Sequence, residues 1–508
     1  MDRSVAQGRR TDPWPLVAAT GVGLLAFLAG WRALLPGVAY WDTAEFQTVG
    51  PLLGTAHPTG FPTYVLLGWL ASVVLQPLGD PAFRMNLLSA ICVGVAAAVT
   101  TDLVRALTRS IVLGVAAGIG LALTPIAWSI ATHADPHALH LALVAVILRL
   151  LVGWEDRVRD DRPDADRWLV AAAIAFGLSM GNHSLTLLLA IPVGLYVLIV
   201  LPSILRRPRL MVLCVGALAV TVALVYLELP LRAGPFRAPL VYGRPDTLDG
   251  FRYVVLAEQF RGSLQDPFGN LAGKFHDLVD LTVAQFAILA PLIPVGFIAT
   301  VLRRPAYAFL TGTALVITCF FSASYVNADI TRYYLGPILI AWTWLAILAA
   351  AVVGWVAERR SGRGVAALSG ILALMLIAPT LSSLGPTFQG ADRSRDRDAA
   401  EWLSDALRLI EPDAVVVSWW SYSTPLWYAQ LVDGQRPDIV IVDDRTRLDQ
   451  DLGSVEDVID ANLGHRPVYV LRETDAQTQA LAAEYEIEDV MPAGQSSLIR
   501  ILGRKAAA

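Results

Sequence analysis

Long apolar runs separated by short arginine-bearing loops fill the first three quarters of the chain. A helix needs about 20 apolar residues to cross a bilayer. The runs predict eleven spans, near residues 14–35, 83–107, 110–131, 137–154, 168–188, 190–205, 210–230, 281–302, 306–323, 333–356 and 365–385. Basic clusters recur at Arg3, Arg9 and Arg10, at 105–109, 149–167, 206–209, 303–304 and 359–363. Positive loops stay on the cytoplasmic side, so the amino terminus is expected in the cytoplasm and the alternate loops outside. The basic arm precedes a run longer than a signal peptide's, with no small-residue cleavage site, and reads as an uncleaved first helix.

The apolar segment 61–78 is the one run that breaks this alternation. If it crossed, Arg105 and Arg109 would move outside and every later loop would invert. It is therefore expected to lie along the outer surface, with Tyr64 and Trp69 at headgroup level. The first outer loop then runs over residues 36–82. Further outer segments are 131–137, the turn near Ala190, 231–280, 324–332 and everything after Gly385. From residue 386 the pattern changes: strand-like runs AVVVS, DIVIVD and PVYVL alternate with helical stretches. That alternation predicts a small α/β domain over 386–508, with a mainly parallel sheet.

Composition sharpens the class. Hydrophobic residues make up 55% of the 508 and charged residues 16%, which marks an α-helical polytopic membrane protein. A net charge of −5 without one basic face sets nucleic-acid binding aside. Cys92, Cys214 and Cys319 sit singly inside apolar runs and outline neither a disulfide framework nor a zinc motif.

Candidate chemistry gathers on the expected outer side. Residues 40–62, YWDTAEFQTVGPLLGTAHPTGFP, set Asp42, Glu45 and His57 at a membrane edge, where ionisable groups persist only if hydrated or paired. Asp42 and Glu45 share a helix face at i, i+3, and mutual repulsion raises a carboxylate's proton affinity, as suits a base. The plain alternative is a solvated connector. ATHADPHALH holds His133, Asp135, His137 and His140. The histidine spacing resembles a metal site, but Pro136 starts a helix that leaves His133 off its face, so a polar substrate pocket is preferred. Asn182 and His183 interrupt an apolar run, with Gly177 and Gly181 beside them for close helix packing. Arg232 and Arg332 stand at outer span ends, to anchor a helix or to clamp a phosphate. Trp419, Trp420, Tyr422, Trp427 and Tyr428 form an aromatic group suited to core packing, to the membrane or to a sugar. No cofactor is called for; a divalent metal is not favoured, because two acids alone do not specify one. The absence of a G-x-G-x-x-G or P-loop leaves nucleotide binding in the tail unsupported.

YWDTAEF, HPTGFPTYVLLGWL, GDPAFRMNLLSA, GLSMGNHSLTLLL, LELPLRAGPFRAPLVYGRPDTLDGF and SYSTPLWYAQLVDGQRPDIVIVD occur in this order. Together they resemble a bacterial family of membrane proteins related to the eukaryotic transmembrane O-mannosyltransferase of plexin-type receptors, within the GT-C glycosyltransferases. The resemblance implies a GT-C transmembrane domain over 1–385 and an inverting transfer of sugar, mannose favoured, from a polyprenyl-phosphate donor to an acceptor hydroxyl of a protein or glycan. It makes Asp42 the base, with Glu45 its neighbour, at the outer face of the bacterial plasma membrane. Trp419 and Trp420 stand where relatives often show an acidic run. Two rivals remain: a transporter or flippase of a lipid-linked substrate, and a non-catalytic scaffold. A pocket that ends at the membrane surface favours the enzyme; one that continues to a far gate favours the transporter.

Overall fold

The computed structural model describes residues 12–327, 329–359 and 363–506. The basic arm Arg3, Arg9 and Arg10, and the centre of the 359–363 cluster, lie outside the described residues.

Among the described residues, seven helices are long and apolar enough to cross a membrane: Trp14–Arg32, Pro81–Thr108, Pro136–Arg159, Pro208–Ala233, Pro305–Ser322, Ile330–Ala357 and Gly364–Ser382. A helix pair, Leu271–Leu289 and Leu292–Arg303, bent by 79°, brings the number to eight where it counts as one span. The bend falls beside Pro291, which cannot donate a helical hydrogen bond. The three other expected spans are shorter or broken. Run 110–131 splits into Ile111–Ala122 and Pro125–Ile130 around Thr124, which is extended ahead of a proline. Run 168–188 becomes the helix Ala165–Asn182, ending where His183 turns extended at φ −158° and ψ 137°. Run 190–205 is an 11-residue helix, Ala190–Val200. Segment 61–78 holds the 13-residue helix Pro62–Val74. At about 1.5 Å per residue it reaches about 20 Å, too short to cross a core of about 30 Å alone.

Small residues set the tightest crossings. A Cβ on Gly23 would come within 2.9 Å of the Gly94 carbonyl oxygen, so Trp14–Arg32 and Pro81–Thr108 meet almost backbone to backbone. Gly177 and Gly181 face Thr221 and Val225 in the same way, which fulfils the packing role expected of them.

The tail forms a five-stranded sheet in the order β2-β1-β3-β5-β4. β1 (Val415–Val417), β2 (Val440–Val442) and β3 (Val468–Val470) are the three expected runs, and they pair in parallel. β4 (Tyr485–Asp489) and β5 (Ile499–Arg504) add an antiparallel edge that the apolar pattern did not reveal. Strand periodicity sends alternate side chains to opposite faces. Val416, Ile441 and Tyr469 share a core with Trp402, Leu426 and Trp427, and with Val38, Ala44 and Ala82 from the 36–82 segment. The tail thus sits on the segment that carries Asp42.

Candidate active site

Asp42 lies in the first turn of the helix Trp41–Leu52, which begins after extended Tyr40. Helix N-terminal backbone dipoles favour an anion at this position. Its two oxygens face different parts of the molecule. Oδ2 accepts from Arg332 Nη2 at 3.4 Å, and Oδ1 accepts from Trp420 Nε1 at 2.9 Å. Arg332 also donates through Nη1 to Asp135 Oδ2 at 3.3 Å, so one guanidinium links both aspartates. Asp135 caps the helix Pro136–Arg159 and accepts from His137 N at 2.7 Å and His137 Nδ1 at 2.8 Å. Pro136 opens that helix and His133 stays off it, as expected; His133 Nε2 lies 3.9 Å from Asp135 Oδ2.

These groups border a cavity of about 980 Å³, with Asp42, His57, His133, His137, His183 and Arg332 on its wall. His137 and His183 stand 4.6 Å apart between ring centroids, and His137 stacks on Tyr333 at 5.2 Å. Pro136 and His137, and Arg332 and Tyr333, come to this wall from the first turns of two membrane helices, so the cavity ends at one end of the bundle.

Glu45 is fully enclosed and faces away from this cavity. Its carboxylate binds both the backbone N–H of His57, at 2.7 Å, and His57 Nδ1. Burial works against charge on His57, yet Glu45 and Asp42 outweigh it and push the imidazole up to about 9. Burial raises the Glu45 carboxyl, against the pull of His57. Burial acts likewise on Asp42, but His57, Arg332 and the Trp420 hydrogen bond prevail and hold its carboxyl below the usual range. The expected upward push between the acids is felt at Glu45, which Asp42 helps to raise, whereas at Asp42 the neighbouring cations prevail. Asp135 is held well below its ordinary range as His137 and Arg332 overcome burial. Burial keeps His133 low, only partly offset by Asp135.

Of the expected residues, Glu45, Asp135, Asn182 and Arg232 are not on the cavity wall, and the last two serve the backbone. Arg232 donates from Nε to the Leu53 carbonyl at 2.7 Å and from Nη2 to Leu52 at 3.0 Å, closing the end of the Trp41–Leu52 helix. Asn182 is wholly buried and donates to the Pro136 carbonyl at 3.0 Å, joining two helix ends. It ends its helix instead of interrupting one, and His183 Nδ1 accepts from Leu185 N at 3.1 Å to cap the following turn. Tyr333 reaches the site without having been singled out, and Trp420, named within the aromatic group, reaches it as a hydrogen-bond donor to Asp42. The aromatic run around 419–428 was the available signal for Trp420. Among the described residues no group of three or more His, Cys, Asp or Glu side chains is placed to hold a metal ion.

A family model described as the protein O-mannosyl-transferase TMEM260 N-terminal domain matches residues 42–204. That stretch begins at Asp42 and includes every expected site residue except Arg232 and Arg332. The mouse protein O-mannosyl-transferase TMEM260 is 30% identical over 263 residues, 49% of this chain and 35% of the relative's own length. The match thus spans about a third of that protein. ArnT from Cupriavidus metallidurans bound to undecaprenyl phosphate aligns with a TM-score of 0.61 at 13% identity, covering 96% of this chain and 98% of ArnT. The archaeal oligosaccharyltransferase AglB from Archaeoglobus fulgidus, in complex with an inhibitory peptide and a dolichol-phosphate, aligns at 0.52 and 14% identity, covering 96% of this chain and 74% of AglB. The chain is similar to the TMEM260 N-terminal domain over residues 42–204 and shares the fold of ArnT and AglB. The GT-C membrane architecture expected from the motifs is therefore present, carrying a small sheet-bearing tail.

Proposed function

We propose that the protein is an inverting glycosyltransferase that moves a sugar, with mannose favoured, from a polyprenyl-phosphate donor to an acceptor hydroxyl, in protein O-glycosylation. The carrying observation is Asp42: a carboxylate on the wall of a large cavity at one end of the bundle, kept ionised by Arg332, Trp420 and protonated His57. The name of the mouse relative supports mannose and a protein acceptor. The lipid phosphates bound to ArnT and AglB support the donor class.

In the proposed step the acceptor oxygen bonds to the anomeric carbon as its proton passes to Asp42. The bond from that carbon to the phosphate oxygen breaks, and its electron pair leaves with the lipid phosphate. Arg332 is the phosphate arm, because Arg232 is committed to backbone carbonyls; His137 and His183 stand beside it. Glu45 holds His57 as a fixed cation and is a positioning residue. His133, Asp135 and Asn182 set the wall and the helix ends that aim Arg332 and His183. No cofactor enters the proposal. The site lies at the outer face of the bacterial plasma membrane, the amino terminus in the cytoplasm, and the tail from 386 forms an extracytoplasmic α/β domain that closes the cavity. A cavity that ends at the bundle's end supports an enzyme over a transporter or flippase, and the charge geometry around Asp42 is not needed by a scaffold.

The test is transfer of labelled mannose from polyprenyl-phosphate mannose by purified protein to serine- and threonine-bearing peptides. The proposal expects peptide labelling with inverted anomeric configuration. Failure to consume that donor, or retained configuration, overturns it.

A further inference from the structure

A second cavity, of about 380 Å³, lies behind the first, between residues 237–246 and the helix Asp444–Asp449 of the tail. Trp420, Tyr242, Asp443 and Arg445 border both cavities, so the partition between them is one layer of side chains. Asp42 opens to the large cavity, whereas Glu45 borders the small one. At the partition, Trp420 donates to Asp42 Oδ1, packs edge-on against His57 at 5.8 Å and against Tyr242 at 5.8 Å.

The direction of the displacement distinguishes the two sides of Asp42. Oδ2 is turned to Arg332, the phosphate arm, and Oδ1 to Trp420. Inversion requires the acceptor oxygen to enter opposite the departing phosphate. It therefore comes from the Oδ1 side, which in this structure is occupied by the Trp420 indole and backed by the small cavity. The proton-accepting oxygen and the entry side coincide.

We infer that the small cavity is the acceptor port, that it takes a polypeptide segment presenting a serine or threonine hydroxyl, and that this hydroxyl displaces the Trp420 N–H from Asp42 Oδ1. The inference rests on the glycosyltransferase reading above. The lining suits an extended peptide better than a bare glycan. It mixes both signs of charge, and exposed Arg237, Arg244 and Asp246 make no ion pair among the described residues. Trp427 and Tyr242 supply flat apolar walls. The partition is a single side chain deep, a distance that a hydroxyl on a short stalk spans. Displacing Trp420 removes one of the groups that hold Asp42's proton affinity down. Acceptor arrival therefore makes Asp42 a stronger base at the moment the proton moves.

Gln450 borders the port, is exposed and is not on the large cavity's wall. Gln450→Trp narrows the port, and Asp246→Arg changes its charge; neither touches Asp42, Arg332 or the histidines. Each variant is assayed in full-length protein with polyprenyl-phosphate mannose, a threonine peptide and a free glycoside acceptor. Donor binding and slow hydrolysis of the donor by water are measured in parallel. The inference expects the peptide KM to rise at least tenfold in Gln450→Trp, with donor binding and hydrolysis within twofold of wild type. An unchanged peptide KM in both variants overturns the port, as does equal loss of donor binding, and a selective loss with the glycoside alone overturns the polypeptide class. Failure of the wild type to use the donor instead overturns the function on which the port depends, so the two failures are separable.

Discussion

The two flanks of Asp42 are built from different materials. On the Oδ2 side stand charged and ring groups delivered by helix ends of the bundle: Arg332, Asp135, His137 and His183. On the Oδ1 side stands an aromatic layer delivered by the tail, with Trp420 donating the only hydrogen bond to that oxygen among the described residues. The first flank fixes charge; the second fixes access. A charged flank suits a phosphate that must be held through its departure, since a guanidinium keeps its charge and its fork geometry. An aromatic flank suits a group that must be displaced, since a single indole N–H is cheaper to exchange than a buried ion pair.

Removing Arg332 separates the flanks most strongly. Arg332→Gln is expected to lower kcat by about 10²–10³-fold, the scale of losing one charge-stabilising donor in an active site, and to destabilise the fold by leaving Asp135 buried without its cation. Arg332→Lys, which keeps the charge, is expected to recover folding before activity. Steady-state kinetics beside thermal unfolding reads both. Equal activity in wild type and Arg332→Gln breaks the charged flank as described.

The Glu45–His57 pair is the next lever. His57 is raised in the folded chain to about 9 from an ordinary 6.5. A raised group stabilises the fold fully below its unfolded value, and that contribution disappears as pH climbs through the folded value. Wild type is therefore expected to lose stability through this group as pH rises from about 6.5 through about 9. Glu45→Gln is expected to flatten that loss and to bring the alkaline decline of activity toward neutral pH. Denaturation and kcat/KM measured across this range decide it; an identical pH profile in Glu45→Gln removes the pair from the account.

Trp420→Phe carries the smallest expected change. The ring remains and the N–H is lost, so the Asp42 carboxyl rises and the acid limb of kcat/KM moves up by about one pH unit, the worth of one hydrogen bond to a charged group. A limb that does not move places the aromatic flank outside Asp42's electrostatics.

The contrast between the flanks also explains what could be read from the chain. Asp42, His57, Asp135, His137 and His183 stood out because ionisable groups at the ends of apolar runs are costly without a purpose. Pro136 placed His133 off its helix from local backbone rules alone. Arg232 and Arg332 looked alike, each an arginine at a span end, and only the tertiary fold gives one to carbonyls and the other to carboxylates. Trp420 lies 378 positions from Asp42, so no local pattern could join them. Even the sign of Asp42's shift depended on the charges of His57 and Arg332, which helical spacing of Asp42 and Glu45 does not reveal. In the fold, short runs of Val, Ile and Tyr marked the parallel strands, while YEIED and IRILGR, interrupted by Glu486, Glu488, Asp489, Arg500 and Arg504, were too polar to stand out as an antiparallel edge.

The central claim is that Asp42 is the base and not merely part of a donor site. Asp42→Asn keeps the side chain's size and its ability to accept from Trp420 while removing the proton acceptor. Donor affinity and mannose transfer to peptide are measured in the same preparation of full-length protein. The account predicts donor binding within a few-fold of wild type and transfer reduced by at least about 10²-fold, the lower end of general-base contributions. Transfer at the wild-type rate by a variant that binds the donor contradicts it.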